Sequence, residues 1–238
     1  MALILSIETS ENTCSVALSD NYDLIGTLEI ADERSHSAML TVLINDLFQH
    51  KKIDIKNLDA VAISKGPGSY TGLRIGVSVA KGISYALNIP IIGLNTLQIL
   101  CKGMVQSSFF RQLKVNDENI LLCPMLDARR MEVYNAFFNC EAELISDINA
   151  TIIDQSSFKN ELESGKVLFF GSGSDKCKDV IENSNTLFAE GQKTHSCNMI
   201  SLAYDAFLQK QFENNAYFEP FYLKNFVATI PKRKTLSF

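Results

Sequence analysis

The sequence predicts an α/β protein of two lobes. Short apolar runs bounded by turn residues indicate buried strands, and they alternate with longer segments of helical spacing in two successive blocks. The chain has 238 residues, which is long enough for two compact lobes. We divide it into a first lobe over residues 1–105, a second lobe over residues 106–220 and a tail over residues 221–238.

The strands are predicted from the positions of the apolar runs. In the first block these runs occupy residues 3–7, 14–18, 24–30, 59–64 and 91–94. In the second block they occupy residues 120–126, 131–138 and 166–170. Between the first two runs of the second block, Asp127 and Glu132 flank Arg129 and Arg130. This polar segment predicts a charged turn rather than an acid–base pair.

Besides a helix that Asn95 or Thr96 would cap, three helices are predicted from apolar residues that recur about every 3.6 positions. The first runs over residues 36–50, with Ser35 as its cap. The second runs over residues 70–87 and ends ahead of Pro90, because a proline disfavours helical conformation in the residue before it. The third covers residues 198–212.

Composition and charge exclude several classes of protein. The net charge of −5 argues against broad, non-specific binding of nucleic acid, which needs a basic surface. The six cysteines are scattered, without a CxxC pair or nearby histidines, so we expect reduced thiols rather than disulfides or a zinc site. The first residues carry no basic segment, and their apolar run is too short for a signal peptide or a membrane span. We expect a cytoplasmic protein with no membrane contact and no bound metal.

A glycine-rich loop, SKGPGSYTG, connects a predicted strand to the second predicted helix. It lacks the lysine and hydroxyl of a Walker loop and the spacing of a dinucleotide fingerprint. Its glycines still permit unusual backbone conformations, and the N-terminus of the following helix is a ready anion site, capped by Ser69 or Thr71. The candidate phosphate or nucleotide loop consists of Glu8, Ser10, Gly66, Gly68, Ser69 and Thr71.

The charge pattern around this loop permits an anionic ligand. No acidic residue occurs between Asp59 and Asp117. The alternative is that most of this stretch is simply buried and apolar. Glu8, which ends the first predicted strand, can place a carboxylate at a cleft, although a lone acid in such a position more often caps a turn.

Catalytic motifs are missing from the sequence. There is no GxSxG elbow and no HExxH pair, and Leu40 follows His36 where an HxxxH pair would need a second histidine. We therefore expect no catalytic residue and no metal ligand in this chain.

The two long helices are apolar on more than one side. Such a helix is buried on more than one side, either inside its own lobe or against another subunit, and spacing alone leaves both alternatives open. A ridge of small residues along the second helix permits a close backbone approach in either case. The candidate partner interface consists of His36, Met39, Leu40, Leu43, Leu73, Ile75, Gly76, Val79 and Ile83.

Four segments are distinctive in both sequence and order. They are ILSIETSENTCSVAL, SKGPGSYTGLRIGVSVAKGISYAL, MLDARRMEVYNAFF and EPFYLK. Together they resemble the TsaB (YeaZ) family of bacterial tRNA threonylcarbamoyladenosine biosynthesis proteins. The resemblance implies an actin-like fold, of the sugar-kinase and Hsp70 ATPase type, with two related lobes of which the second is reduced. One departure is Glu8, where the family more often has aspartate.

The resemblance also implies a function without catalysis. TsaB-like proteins pair with the catalytic subunit TsaD through the first-lobe helices, and the small ATPase TsaE joins them. The complex transfers a threonylcarbamoyl group from its adenylate to an adenosine beside the anticodon, so tRNA is contacted through the complex. The same helices can form a homodimer when the protein is alone. The resemblance implies no intrinsic cofactor and an adenine nucleotide at the partner interface.

Three other functions are weighed against this one. A stand-alone actin-like phosphotransferase or ATPase needs a metal-holding carboxylate and an adenosine site. A protease needs a nucleophile or a metal. Direct tRNA binding by the basic residues Lys232, Arg233 and Lys234 would give weak, salt-sensitive contacts.

Overall fold

A computed structural model of the protein describes residues 1–31, 36–116 and 120–224. Its strands form two sheets of five strands each. The first sheet contains β1 (Leu3–Glu8), β2 (Cys14–Asp20), β3 (Asp23–Ile30), β4 (Ala60–Gly66) and β5 (Ile91–Asn95). The second sheet contains β6 (Leu121–Asp127), β7 (Glu132–Asn135), β8 (Asn149–Ile152), β9 (Val167–Phe170) and β10 (Thr186–Ala189).

The two sheets have the same topology. The first has the order β3-β2-β1-β4-β5, and the second has the order β8-β7-β6-β9-β10. In each sheet the first three strands of the sequence pair antiparallel, and the fourth pairs parallel with both the first and the fifth. The two halves of the chain therefore form sheets of the same topology. This confirms the predicted α/β fold of two related lobes and the actin-like type that the resemblance implies.

The helices show that the second lobe is reduced. In the first lobe, α1 (His36–Lys51) connects β3 to β4 and α2 (Tyr70–Leu87) connects β4 to β5. The corresponding connections of the second lobe hold α5 (Lys159–Ser164) and a three-residue 3-10 helix, Asp175–Cys177. Along the chain, α3 (Thr96–Gln106) and α4 (Ser108–Asn116) come between the strands of the first sheet and those of the second. Helix α6 (Ile200–Leu208) comes after the last strand of the second sheet. None of the helices in the described ranges is long and apolar enough to cross a membrane.

Helix α2 has the predicted bounds because local signals set both of its ends. The Ser69 hydroxyl accepts a hydrogen bond from the Gly72 amide at 3.3 Å, so Ser69 is the cap. Asn88 has a left-handed conformation at the C-terminal end, where its amide donates to the Ser84 carbonyl.

The ridge of small residues on α2 packs inside the subunit. Gly72, Gly76, Ala80 and Ser84 are all buried. A Cβ atom on Gly72 would lie 2.0 Å from the carbonyl oxygen of Thr9, which directly follows β1. The Thr9 hydroxyl in turn donates a hydrogen bond of 2.8 Å to the Gly72 carbonyl. Because the residues of this ridge are small, α2 packs closely against the end of β1.

Helix α6 packs against the first sheet although it follows the second in sequence. Ala203 and Ala206 belong to the same buried cluster as Ile4 and Ile92. The chain then passes the free edge of β5, where the Glu213 amide donates to the Ile91 carbonyl at 2.9 Å. The predicted division at residues 105 and 220 stays a prediction, but residues 200–218 contribute to the core of the first lobe.

Some elements differ from their predicted bounds. The strand predicted over residues 131–138 ends at Asn135, and Phe138 instead forms isolated bridges to Leu122 and Leu144. The helix predicted over residues 198–212 begins as a 3-10 turn and ends at Leu208. Ser35, the predicted cap of α1, and the basic residues Lys232, Arg233 and Lys234 lie outside the described residues.

Candidate functional site

The two lobes enclose a cleft of about 700 Å³. The first lobe contributes the segment after β1, residues 10–13, and the loop ahead of α2, residues 67–71. The second lobe contributes the end of β6 and the following turn, residues 126–129. Ligand sites in α/β proteins lie at such positions, where loops follow the carboxyl ends of strands. The cleft is therefore the first candidate site.

The glycine loop is attached to the turn after β1. The Ser69 amide donates a hydrogen bond of 2.7 Å to the Ser10 carbonyl, and a Cβ atom on Gly68 would lie 2.6 Å from the same oxygen. Gly66 has a left-handed φ of +116°, and its Cβ would lie 2.6 Å from the Phe221 carbonyl. At both positions a side chain would clash with neighbouring backbone, so glycine is required. Gly68, Ser69, Thr71 and Ser10 of the predicted phosphate loop line the cleft.

Glu8 is buried and does not line the cleft. Its Oε1 accepts hydrogen bonds from the Ser10 amide at 2.7 Å and from the Ser64 hydroxyl at 2.9 Å. The Ser10 hydroxyl lies near this carboxyl without hydrogen-bond geometry, and Oε2 has no partner among the described residues. Burial raises the pKa of Glu8 to about 7. Of the two alternatives for Glu8, the structure shows the turn cap after β1. Its place in the candidate phosphate loop is wrong, because the carboxylate points into the fold.

Glu11 joins the two lobes, a role that the sequence did not reveal. Its Oε1 accepts a hydrogen bond from the Ser172 hydroxyl of the second lobe. Its Oε2 accepts from the amide of Thr194 at 3.2 Å and from the hydroxyl of the same residue at 3.0 Å. These partners are more than 160 positions away in sequence, so no local pattern could have indicated the contact.

We expect Glu11→Gln to destabilise the protein by about 1–2 kcal/mol, because the neutral amide replaces a carboxylate that accepts three hydrogen bonds. Urea unfolding followed by circular dichroism measures this change. Glu163→Gln is the matched control, since Glu163 makes an exposed pair with Lys159 at 3.8 Å and its loss should cost less than about 0.5 kcal/mol. Equal stability of the two variants would contradict the interlobe role of Glu11.

The turn between β6 and β7 is a charged turn, as predicted. The Ala128 amide donates to the Glu132 carbonyl at 3.0 Å, and the Glu132 amide donates to the Arg129 carbonyl at 3.1 Å. Asp127 forms an ion pair with Lys176, and Glu132 forms one with Lys224. Because both carboxylates are paired with lysines, the turn does not present an acid–base pair.

The predicted partner interface divides into buried and accessible residues. Leu40, Leu43, Leu73 and Gly76 are buried within the subunit, so they support the fold and are not presented to a partner. Half-buried positions are occupied by Met39, Ile75, Val79 and Ile83. The side chain of His36 lies outside the described part of the structure.

A second cavity lies between the outer faces of α1 and α2. This groove has a volume of about 670 Å³. Its lining combines the apolar residues Ile44, Phe48, Ile53, Ile55, Val79 and Ile83 with the polar residues Thr41, Asn45, Gln49, Lys52 and Asp54. Two large apolar side chains on the same helices are exposed, Val42 by 41% and Tyr85 by 85%. We call this groove, with Val42 and Tyr85, the α1–α2 face. Within the described residues, no group of three or more His, Cys, Asp or Glu side chains is placed to hold a metal ion.

Comparison with known proteins decides the family. A family profile described as "TsaD: tRNA N6-adenosine threonylcarbamoyltransferase" matches residues 29–232. The protein named tRNA threonylcarbamoyladenosine biosynthesis protein TsaB in Buchnera aphidicola is 30% identical over 166 residues, which cover 69% of this chain and 71% of that protein. The chain belongs to the TsaB (YeaZ) family. The TsaB protein of Haemophilus influenzae is 27% identical over 235 residues, which cover 93% of both chains.

A solved TsaB-family structure shows the same fold. YeaZ from Pseudomonas aeruginosa matches with a TM-score of 0.77 and 22% identity, over 94% of this chain and all of that chain. Membership of the TsaB family confirms the resemblance seen in the sequence. At position 8 the glutamate reaches from β1 to the Ser64 hydroxyl on β4 while it caps the turn after β1.

Proposed function

We propose that this chain is a non-catalytic subunit for the synthesis of threonylcarbamoyladenosine in tRNA. It pairs with a TsaD-like threonylcarbamoyltransferase, and a TsaE-like ATPase joins the pair. The pathway rests on the names of the TsaB relatives. The pairing rests on one structural observation, the α1–α2 face, where large apolar side chains remain exposed.

The chemistry of the α1–α2 face supports a protein partner. Its groove is lined by apolar side chains together with polar and charged ones, among them Lys52 and Asp54. Tyr85, which also lies on α2, is 85% exposed, and aromatic side chains are enriched in the centres of protein interfaces. A monomer gains nothing from leaving this apolar surface in water, whereas a partner subunit would bury it. In the absence of TsaD, the same face accounts for a homodimer.

The carboxylates around the cleft support a role without catalysis. Glu8 is buried in a turn, and Asp127 is paired with Lys176. Glu11 accepts hydrogen bonds from Ser172 and Thr194. A phosphotransferase of this fold would need a carboxylate free to hold a metal ion. A supporting subunit, which contacts tRNA through the complex, does not.

Reconstituted modification of tRNA tests the function. TsaD-like and TsaE-like subunits are combined with a tRNA substrate, with and without this chain, and threonylcarbamoyladenosine is measured by mass spectrometry. We expect modification only in the full mixture and none from this chain alone. Modification by the chain alone would show a catalyst, and unchanged modification without the chain would show that it is dispensable.

The substitution Tyr85→Glu tests the proposed interface. Because Tyr85 is 85% exposed, the fold should tolerate the change, while a charge buried against a partner should weaken association at least about tenfold. Sedimentation velocity with the TsaD-like subunit measures the effect, and the tRNA assay should lose activity in parallel.

The matched control is Ile152→Glu, which puts the same charge at a 72% exposed apolar position on β8 of the second lobe. We expect this variant to associate like the unchanged protein. Association that survives Tyr85→Glu, or that falls equally with Ile152→Glu, would rule out the α1–α2 face as the site of pairing.

A further inference from the structure

Strand β8 forms an open edge of the second sheet. It pairs with β7 on one side, and no other strand in the described part of the chain pairs with its outer side. Ile152, the last residue of β8, is 72% exposed. An uncovered edge strand offers backbone N–H and C=O groups to other chains, so natural proteins usually shorten, charge or cover it. The outer edge of β8 is therefore a place where a further extended segment can add to the sheet.

The described residues stop beside this edge. Lys224 forms an ion pair with Glu132 on β7, and its Nζ atom lies 5.9 Å from the centre of the Tyr134 ring on the same strand. Glu132 is directly opposite Ile152 in the ladder between β7 and β8. Directly opposite residues of an antiparallel pair lie on the same face of the sheet, about 5 Å apart. Lys224 therefore reaches the sheet one strand away from the exposed Ile152.

The sequence that follows Lys224 is typical of an edge strand. It reads NFVATIPKRK over residues 225–234. Residues 227–230 equal β8 in length, and their Val, Thr and Ile side chains favour an extended conformation. Pro231 directly after them cannot donate a backbone hydrogen bond, which confines proline to the edges and ends of strands. A four-residue strand pattern with a stop signal thus begins within three positions of Lys224.

The surface beyond the other end of β8 is acidic. Residues 131–158 contain five Asp or Glu side chains and no Lys or Arg. One of the five, Asp147, is exposed and lies two positions ahead of β8. Three basic residues, 232–234, follow the VATI segment after a single proline. A strand that starts beside Ile152 and runs antiparallel to β8 brings these basic residues to Asp147, so the charges are complementary in this direction of pairing.

We propose that residues 226–234 cover the outer edge of β8 in the same molecule. Residues 227–230 pair antiparallel with residues 149–152 and add a sixth strand to the second sheet. Phe226 packs on Ile152 and buries its exposed apolar surface. The interaction is strand addition, in which main-chain hydrogen bonds provide the affinity and the side chains provide the specificity.

The chain is long enough for this path. Two strand spacings separate β7 from the position beyond β8, which is about 10 Å. The three Cα steps from Lys224 to Val227 span up to about 11 Å. Val227 can therefore stand beside the end of β8 while Lys224 keeps its ion pair with Glu132. Because the connection is this short, closure within one molecule is favoured over pairing with a second copy.

This proposal goes beyond the proposed function and does not depend on it. Strand β8 belongs to the second lobe, whereas the α1–α2 face belongs to the first lobe. Release of the segment from β8 should therefore leave pairing with a TsaD-like subunit unchanged, and the purified full chain alone is sufficient for the experiment.

Hydrogen–deuterium exchange of the full chain, followed by mass spectrometry, tests the proposal. We expect the amides of residues 225–230 to exchange at least about tenfold more slowly than in an unstructured peptide. The double variant Val227→Pro, Ala228→Pro removes two neighbouring amides that point to opposite sides, so one of them faces β8. It should speed exchange about tenfold both in residues 225–230 and in residues 149–152.

The matched control is the double variant Thr235→Pro, Leu236→Pro, which places the same two prolines beyond the basic residues. We expect it to exchange like the unchanged protein in both segments. Circular dichroism of each variant before the exchange experiment confirms that the proteins compared are folded.

Three results would overturn the proposal. The first is exchange of residues 225–230 at the rate of an unstructured peptide. The second is unchanged exchange of residues 149–152 in Val227→Pro, Ala228→Pro, which would show that the segment does not pair with β8. The third is protection that increases with protein concentration, which would show that the edge is covered by a second copy of the chain.

Discussion

Replacing Glu8 by Gln is expected to remove a pH dependence of stability worth about 3 kcal/mol. The pKa of Glu8 rises from an ordinary value of 4.5 to about 7 because burial disfavours the charged carboxylate. One pKa unit corresponds to about 1.4 kcal/mol. The rise of the Glu8 pKa from 4.5 to about 7 therefore corresponds to about 3 kcal/mol.

The direction of this effect follows from which state holds the proton. Below pH 4.5 the carboxyl is protonated in both the folded and the unfolded protein, and it contributes its full stability. As the pH rises from 4.5 to about 7, the unfolded protein loses the proton while the folded protein keeps it, so the free energy of unfolding falls. Above pH 7 both states are ionised and the contribution of Glu8 no longer changes.

Urea unfolding at intervals between pH 4.5 and pH 8 measures this contribution as the difference between Glu8→Gln and the unchanged protein. The variant should become relatively more stable by about 3 kcal/mol over that range. Glu163→Gln, which removes a carboxylate at an exposed position, is the matched control. A flat difference for Glu8→Gln would show that Glu8 is ionised in the folded protein. The variant should still support tRNA modification, since Glu8 does not line the cleft.

Gly72→Ala is expected to destabilise the protein by about 1–2 kcal/mol. The new Cβ atom would lie 2.0 Å from the Thr9 carbonyl oxygen, a backbone atom that cannot move without shifting the end of β1. Alanine is intrinsically better in a helix than glycine by about 1 kcal/mol. Overpacking against the backbone costs about 1–3 kcal/mol and occasionally more, so the clash outweighs the propensity.

Gly82→Ala is a control on the same helix. A Cβ atom on Gly82 meets no atom within 4 Å, so helix propensity alone should stabilise this variant by about 0.5–1 kcal/mol. Thermal and urea unfolding at low protein concentration measure both variants without a contribution from self-association. Opposite signs for the two substitutions are the expected result. If Gly72→Ala were stabilising as well, the close contact of α2 with the end of β1 would be wrong.

Local signals explain which elements could be predicted from the sequence. Helix α2 has the predicted bounds, because Ser69 caps one end and a left-handed Asn88 closes the other. Strands β8 and β10 and helix α5 contain four, four and six residues, which is too short for a period to be recognised. Pairing with neighbouring strands, rather than their own sequences, stabilises β8 and β10.

The candidate sites were predictable only in part, for a related reason. The glycine loop and the turn at Arg129 stand out in the sequence, but the cleft forms where the first lobe meets the second. Glu11 could not be found, because its partners Ser172 and Thr194 are brought to it by the packing of the lobes.

The sequence by itself determined the alternation of strands and helices, the ends of α2 and the family, because propensities, caps and motifs act over a few neighbouring residues. Tertiary structure alone decided the direction of each side chain. Glu8 points into the fold, and the small residues of α2 pack against the end of β1. Val79 is half-buried, and Tyr85 is exposed. A helix that is apolar on two sides does not specify which side meets its own sheet. That choice depends on close approaches such as Gly72 to Thr9, which exist only once distant segments have packed together.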